Sequence, residues 1–285
     1  MSRGAAPAGG FAPDDDAALT LSREAYGDAA RLRARIALHE LGADQRREDF
    51  HTWLWRLAEA PATADVLEVG SGSGRMWQAL GAAVPPTWRL TLSDVSPGML
   101  AEARRTLAAT GRDARFVLAD AANLPFADGS FALVFANHML YHVPDLPRTI
   151  AELGRVTRPD GRLIAATNGD DHLTEIAALL DELAAAWPGV RVDRPNRLSF
   201  TLENGAAALA EAFADVARHD HGDTLAVDDA RVRTRYLLSM AYAADAAEAG
   251  ALAAWTRDLV TDRLRGGPLA VRRATGAFVA GAPVR

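Results

Sequence analysis

The chain predicts an α/β fold built on a parallel sheet with crossover helices, and three observations carry that prediction. From Asp65 onward, short apolar runs alternate with segments of helical spacing. Such alternation is the pattern of β-α units, whose strands are buried on both faces and therefore read as continuous apolar runs. The first run passes directly into a glycine-rich turn and then a helix, Val66-Leu67-Glu68-Val69-Gly70-Ser71-Gly72-Ser73-Gly74, so backbone can approach a ligand closely at the strand's carboxyl end. The second strand closes on Asp94, twenty residues beyond Gly74, where a carboxylate accepts hydrogen bonds from both hydroxyls of an adenosine ribose.

Taken in order, residues 1–18, rich in Ala, Gly and Pro, read as a disordered tail without an apolar signal core. Helical spacing then covers 22–41, with Ser22 as cap and Gly42 as stop, and a second helix covers 48–58. Strands are expected at 66–69, 89–93, 115–119, 131–136 and 162–166, with helices at 75–82, 97–109, 146–156 and 171–186. Pro159-Asp160-Gly161 reads as a turn before the fifth strand, and five β-α units are expected to fill residues 65–186. Beyond Pro188 a helix is expected at 206–213, a strand at 216–227, mostly helix at 229–265 and a closing hairpin at 269–280.

Composition narrows the function classes. A formal net charge of -6 and a pI near 5.7 supply no broad cationic surface for nucleic acid or anionic lipid, leaving a small molecule as the expected partner. No stretch reaches the ~18 unbroken apolar residues of a membrane helix, so a cytoplasmic protein is expected. The absence of cysteine closes disulfide, thiolate and cysteine-zinc chemistry. Every one of the 31 basic residues is arginine, a bias without mechanistic content. No HxxxH, HExxH or carboxylate cluster is spaced for metal binding, so no metal is expected. Oligomeric state is not readable from the composition.

The acid after the second strand suits NAD and S-adenosylmethionine alike, but a pyrophosphate prefers GxGxxG and this turn reads GxGxG. Together with Ser93-Asp94-Val95-Ser96, Ala119-Asp120-Ala121, Leu124-Pro125-Phe126 and Asp128-Gly129-Ser130-Phe131, it resembles the successive motifs of class I S-adenosylmethionine-dependent methyltransferases, in their small-molecule, UbiE-like branch. The match runs over residues 26–170. It implies a Rossmann-like parallel sheet with an antiparallel last strand and helices on both faces. N-terminal lid helices (19–60), a core (61–227), a helical cap (228–266) inserted before the last strand, and C-terminal strands (267–285) would complete the chain.

The resemblance implies that Glu68, Gly70 and Gly72 surround the methionine part of the cofactor, that Asp94 holds the ribose, and that Asp120 with Ala121 meets the adenine. Val95 and Met99 would be apolar walls of the adenine site, although Met99 reads equally as a core residue of its helix. The fourth strand ends in Asn137-His138-Met139-Leu140-Tyr141-His142, which in the family lies beside the transferable methyl group, with Asn137 toward the cofactor. His138 and His142 are eligible to take a proton from the acceptor, and His142 packed against the sheet is the alternative. Tyr141 completes the catalytic candidates. Tyr26 and His39 on the lid, Asn168 and His172 after the fifth strand, and Arg235 in the cap are candidates for the acceptor site, with Asn168 equally readable as a helix cap. Arg231, Arg233 and Arg235 cannot share one helix face, since steps of two turn the chain by about 200°.

A metal-independent methyltransferase acting on a small, natural-product-type acceptor is therefore expected. C-methylation of the alkene of a prenyl diphosphate is the nearest alternative. An NAD-dependent dehydrogenase and a non-catalytic S-adenosylmethionine-binding protein are the readings from other classes.

Overall fold

The computed structural model describes residues 31, 34, 35, 37, 38, 48–59, 61–195 and 198–284. The tail, Tyr26 and His39 lie outside the described residues. Of the expected helix at 22–41, Arg31, Ala34, Arg35, Ala37 and Leu38 are described, and all five are helical.

Along the chain the elements are α1 (Phe50–Leu57), β1 (Asp65–Val69), α2 (Arg75–Leu80), β2 (Arg89–Asp94), α3 (Pro97–Ala108), β3 (Arg115–Leu118), β4 (Phe131–Asn137), α4 (Leu146–Val156), β5 (Thr157–Asn168), α5 (Thr174–Ala186), β6 (Arg191–Val192), α6 (Gly205–Leu209), β7 (Phe213–Asp220), β8 (Asp223–Val227), α7 (Ala230–Ser239), β9 (Ala241–Tyr242), α8 (Ala246–Leu264), β10 (Leu269–Arg273) and β11 (Thr275–Pro283). None of the described helices is long and apolar enough to cross a membrane.

The chain divides into two compact units. The first, made of the described residues within 48–173, 195–224 and 272–284, contains a seven-stranded sheet of order β3-β2-β1-β4-β5-β11-β7. β1 to β5 are mutually parallel, and β11 runs antiparallel between β5 and β7, which is the Rossmann-like sheet with an antiparallel last strand. Alternation along the strands feeds two cores, because successive side chains leave a strand on opposite faces. Leu67, Val69, Val134, Ala136, Leu163 and Ala165 pack with Ile150, Leu153 and Val156 of α4 on one face. Val66, Leu90, Leu92, Leu133, Phe135 and Ile164 pack with Trp53 and Leu54 of α1, Met76 and Trp77 of α2, and Ala103 and Leu107 of α3 on the other.

Local chemistry starts these helices. Asp49 caps α1, its Oδ1 accepting from the amides of His51 (3.0 Å) and Thr52 (3.1 Å). Ser96 caps α3 and Asp145 caps α4, each followed by a proline in the first turn, where a missing N–H costs nothing.

The second unit comprises residues 174–194 and 225–271 together with the described residues from Arg31 to Leu38. The helix after β5 thus clusters with the later helices. Leu183, Val190, Leu238, Ala241, Leu252 and Ala253 form its core, and β6 and β9 pair antiparallel through Arg191↔Tyr242 and Val192↔Ala241.

Several expected elements differ. Pro159-Asp160-Gly161 is a bulge inside β5, the register jumping from Phe131↔Thr157 to Leu133↔Arg162. The connection from β3 to β4 carries no helix, so the five units are not all β-α. The expected strand at 216–227 breaks at Gly222, where a Cβ would stand 2.9 Å from the carbonyl of Arg273, and its halves enter different sheets. The closing hairpin does not form. β10 pairs with β8 while β11 enters the main sheet, and Ala274, the residue between them, supplies no two-residue turn.

Candidate functional site

Parallel register aligns the carboxyl ends of the strands. Val69 is opposite Ser93, Asp94 opposite Leu118, and Asn137 opposite Ala166. The antiparallel β11 begins at the same edge, with Thr275 opposite Asn168, and Asp220 at the end of β7 lies opposite Gly276. Residues distant in sequence therefore meet where an open α/β sheet binds ligands.

Gly70 (φ +64°) and Gly72 (φ +52°) take left-handed backbone. A Cβ on Gly70 would fall 2.7 Å from that of Met139, whereas one on Gly72 would meet nothing within 4 Å. The first glycine is required by crowding, and the second leaves open space in front of its backbone. Behind the turn Glu68 is buried at 3% exposure. Its carboxylate accepts from Nε1 of Trp77 (2.6 Å) and Nδ2 of Asn137 (3.2 Å). Burial, reinforced by the charge of Asp94, pushes its pKa up to about 7 against those two donors. Oδ1 of Asn137 and Oγ of Ser71, both buried, have no hydrogen-bond partner among the described residues, an arrangement that fits the polar groups of an amino-acid ligand.

Asp94 is 8% exposed. Its Oδ2 accepts from the amide of Gly72 (2.9 Å) and its Oδ1 from that of Ser96 (2.8 Å). The carboxylate is thereby fixed, and each oxygen keeps a further lone pair for a hydroxyl. Asp120 accepts from the amide of Ala122 (2.9 Å) and forms an isolated bridge with Asn123. Between these acids Val95 is 72% and Leu118 59% exposed, apolar surface of the kind a flat aromatic ligand covers. Leu118 was not singled out by sequence, although its place two residues before Asp120 is the signal that would have found it. Met99 is half-buried and Ala121 buried. Arg155 holds the loop that carries Asp120, donating to the carbonyls of Phe126 (2.7 Å) and Leu124 (3.0 Å) and to Glu152 and Asp128.

His138, in left-handed backbone at φ +52°, enters an aromatic cluster that sequence did not reveal. Its ring lies 5.2 Å from Phe50 and 6.4 Å from Tyr141. Phe50 also contacts His221 (5.7 Å), and Trp53 stands 4.7 Å from that imidazole. His221, 5% exposed, follows β7 and donates its amide to the carbonyl of Thr275 (2.7 Å). Burial holds His51, on the same turn of α1, below the usual imidazole range, with Asp49 opposing and Arg75 assisting. No sequence motif marks Phe50, His51, Trp53 or His221, because they converge only through α1 and the insertion of β11 beside β7.

His142 is exposed against the ring of Tyr141 at 4.5 Å, so it does not pack against the sheet. Asn168 is no helix cap, since α5 starts at Thr174, and its Oδ1 accepts from the hydroxyl of Thr275 (2.9 Å). His172 is buried with Nδ1 3.0 Å from the carbonyl of Ala274, which ties it to the start of β11. Arg235 belongs to α7 in the other unit. Among the described residues no group of three or more His, Asp or Glu side chains could hold a metal ion.

A model of the methyltransferase domain matches residues 67–165. The malonyl-[acyl-carrier protein] O-methyltransferase of Halorhodospira halophila is 35% identical over 160 residues, 56% of this chain and 46% of that protein. That of Geobacter sulfurreducens is 32% identical over 189 residues, 64% of this chain and 70% of that protein. The chain therefore spans about half the length of the first relative and over two thirds of the second. The YcgJ protein of Bacillus subtilis shares the fold, with a TM-score of 0.55 at 20% identity over 80% of this chain and 96% of that one. The domain match, the coverage of the Geobacter relative and the shared sheet make this chain a member of the class I S-adenosylmethionine-dependent methyltransferases.

Proposed function

We propose that the enzyme methylates a small-molecule acceptor of the natural-product type at the strand ends around His138, with Asp94 on the cofactor ribose and Glu68, Gly70, Gly72 and Asn137 around its amino-acid part. Asp120 and Ala121 meet the adenine between Val95, Leu118 and Met99. The observation that carries this reading is the Asp94 carboxylate, fixed by the amides of Gly72 and Ser96 beside open backbone at Gly72. When bound, S-adenosylmethionine supplies a methyl group already activated by its sulfonium, transferred by in-line displacement to leave S-adenosylhomocysteine. The chain aligns the acceptor, excludes water and receives the acceptor's proton. The site offers His138 for that proton, with His221, Tyr141 and His142 nearby in sequence or space.

The two carrier-protein relatives favour a second reading, in which the acceptor is a carboxylate oxygen. A carboxylate is ionised at neutral pH and needs no base. One experiment separates the readings: incubation with methyl-labelled S-adenosylmethionine against hydroxylated aromatics, small carboxylic acids and a malonyl-carrier protein. Label on a hydroxyl acceptor, with kcat for His138→Ala or His221→Ala reduced roughly 10²- to 10⁴-fold, supports the first. Label on a carboxylate with kcat unchanged in both variants supports the second. Asp94→Ala is expected to abolish most cofactor affinity, and unchanged affinity by calorimetry overturns the ribose assignment.

A further inference from the structure

Arg233, on α7, is fully buried at 0% exposure, yet Nε, Nη1 and Nη2 all lack a hydrogen-bond partner among the described residues. Guanidinium stays charged throughout the working pH range, and five N–H donors hidden from water without an acceptor are among the costliest arrangements in a folded chain. Asp228, whose charge acts on it, is exposed and makes no hydrogen bond to it. Arg231 and Arg235, two residues to either side, lie on other faces of the helix and have partners of their own.

Tyr236 follows Arg233 by one helical turn and is buried. Arg35, in the same unit, is close enough to Tyr236 for its charge to act on the phenol. Arg35 spends Nη2 on the carbonyl of Ser239 (3.2 Å), but its buried Nε is also without a partner among the described residues. Arg31 is likewise turned to backbone, donating to the carbonyls of Ser239 (2.8 Å) and Ala241 (3.2 Å). Arg233 and Arg35 thus hold four buried nitrogens without a hydrogen-bond partner among the described residues.

We infer that Arg233 is the anchor of an oxyanion site in the helical unit, taking the carboxylate or phosphate group of a small ligand. The planar fork of a guanidinium matches either group through paired N–H···O bonds. The inference rests on the free nitrogens alone and is independent of how methyl transfer is assigned.

The test is thermal unfolding of the whole chain in a chloride buffer, with sodium malonate or inorganic phosphate added at constant ionic strength. Wild type should gain several degrees of melting temperature from one of the two over chloride, and R233M should lose that response. A response to malonate assigns a carboxylate, and one to phosphate alone assigns a phosphate. Wild type indifferent to both, or R233M responding as wild type does, overturns the site, as would a guanidinium already paired with a carboxylate of the chain itself. R233K covers the case in which R233M does not fold. Keeping the charge but losing the fork, it should bind the effective anion at least tenfold more weakly by calorimetry, and unchanged binding overturns the inference.

Discussion

Glu68 shows how burial at one residue reaches function. Its pKa is raised to about 7 because the carboxylate is enclosed, while Trp77 and Asn137 donate to it. A folded pKa above the unfolded value stabilises the fold fully below about pH 4.5, and that contribution is lost as pH rises through about 7. The loss amounts to roughly 3 kcal/mol. Glu68→Gln should flatten the denaturation midpoint between about pH 4.5 and 7, and a wild-type slope in the variant would assign the pH dependence elsewhere. The amino-acid part of the cofactor carries positive charge, which favours the ionised carboxylate, so binding near pH 6 should release a proton from wild type and not from Glu68→Gln. Calorimetry in buffers of different ionisation enthalpy reads that proton directly. Glu68 and Asp94 were legible in the sequence because one lies on the strand that enters the glycine turn and the other closes the next strand at a characteristic spacing from it. His221 was not, since its nearness to Phe50 and Trp53 depends on which strand β7 pairs with.

At the scale of elements, the connection from β3 to β4 carries Asp120 without a helix to stiffen it. Arg155 of α4 does that work. Glu152 and Asp128 raise its pKa, while Nη1 and Nη2 reach the carbonyls of Phe126 and Leu124. Arg155→Ala removes the guanidinium donors to those carbonyls and to Glu152 and Asp128, and the Phe126 carbonyl and Asp128 lose the donor described for them, a loss of about 1–3 kcal/mol in stability. Asp120 then samples more positions, so the affinity for S-adenosylhomocysteine should fall while kcat at saturating cofactor holds. Arg155→Lys should recover part of the affinity, since a single ammonium replaces one arm of the fork. Equal affinity in all three proteins would show that the loop is held by other means. Apolar alternation marked β1 to β5, but it cannot report partners. The break at Gly222 and the separation of β10 from β11 are set by pairing across the sheet, which no local pattern encodes. The bulge in β5 hides for a related reason, because Pro159-Asp160-Gly161 reads as a turn wherever it stands.

For the whole molecule, the division into two units has a thermodynamic consequence. Every described residue proposed to hold the cofactor belongs to the sheet unit, whereas Arg233 belongs to the other. A ligand stabilises the structure that binds it, by about 2.7 kcal/mol at a hundred times its Kd. For a unit of this size that is a rise of roughly 5–10 °C. Tryptophan placement allows the units to be read apart, since Trp53, Trp55, Trp77 and Trp88 lie in the sheet unit and Trp187 and Trp255 in the helical one. In a Trp187→Phe, Trp255→Phe variant all remaining indole fluorescence reports the sheet. Saturating S-adenosylhomocysteine should shift that fluorescence transition upward by the full amount, and NAD should leave it in place. Adding Asp94→Ala should remove the shift and, without ligand, lower the melting temperature modestly, because the half-buried amides of Gly72 and Ser96 lose their acceptor. If the calorimetric transition rises with S-adenosylhomocysteine while the sheet fluorescence stays fixed, the cofactor is held by the helical unit, and the assignment of Glu68, Asp94 and Asp120 falls with it.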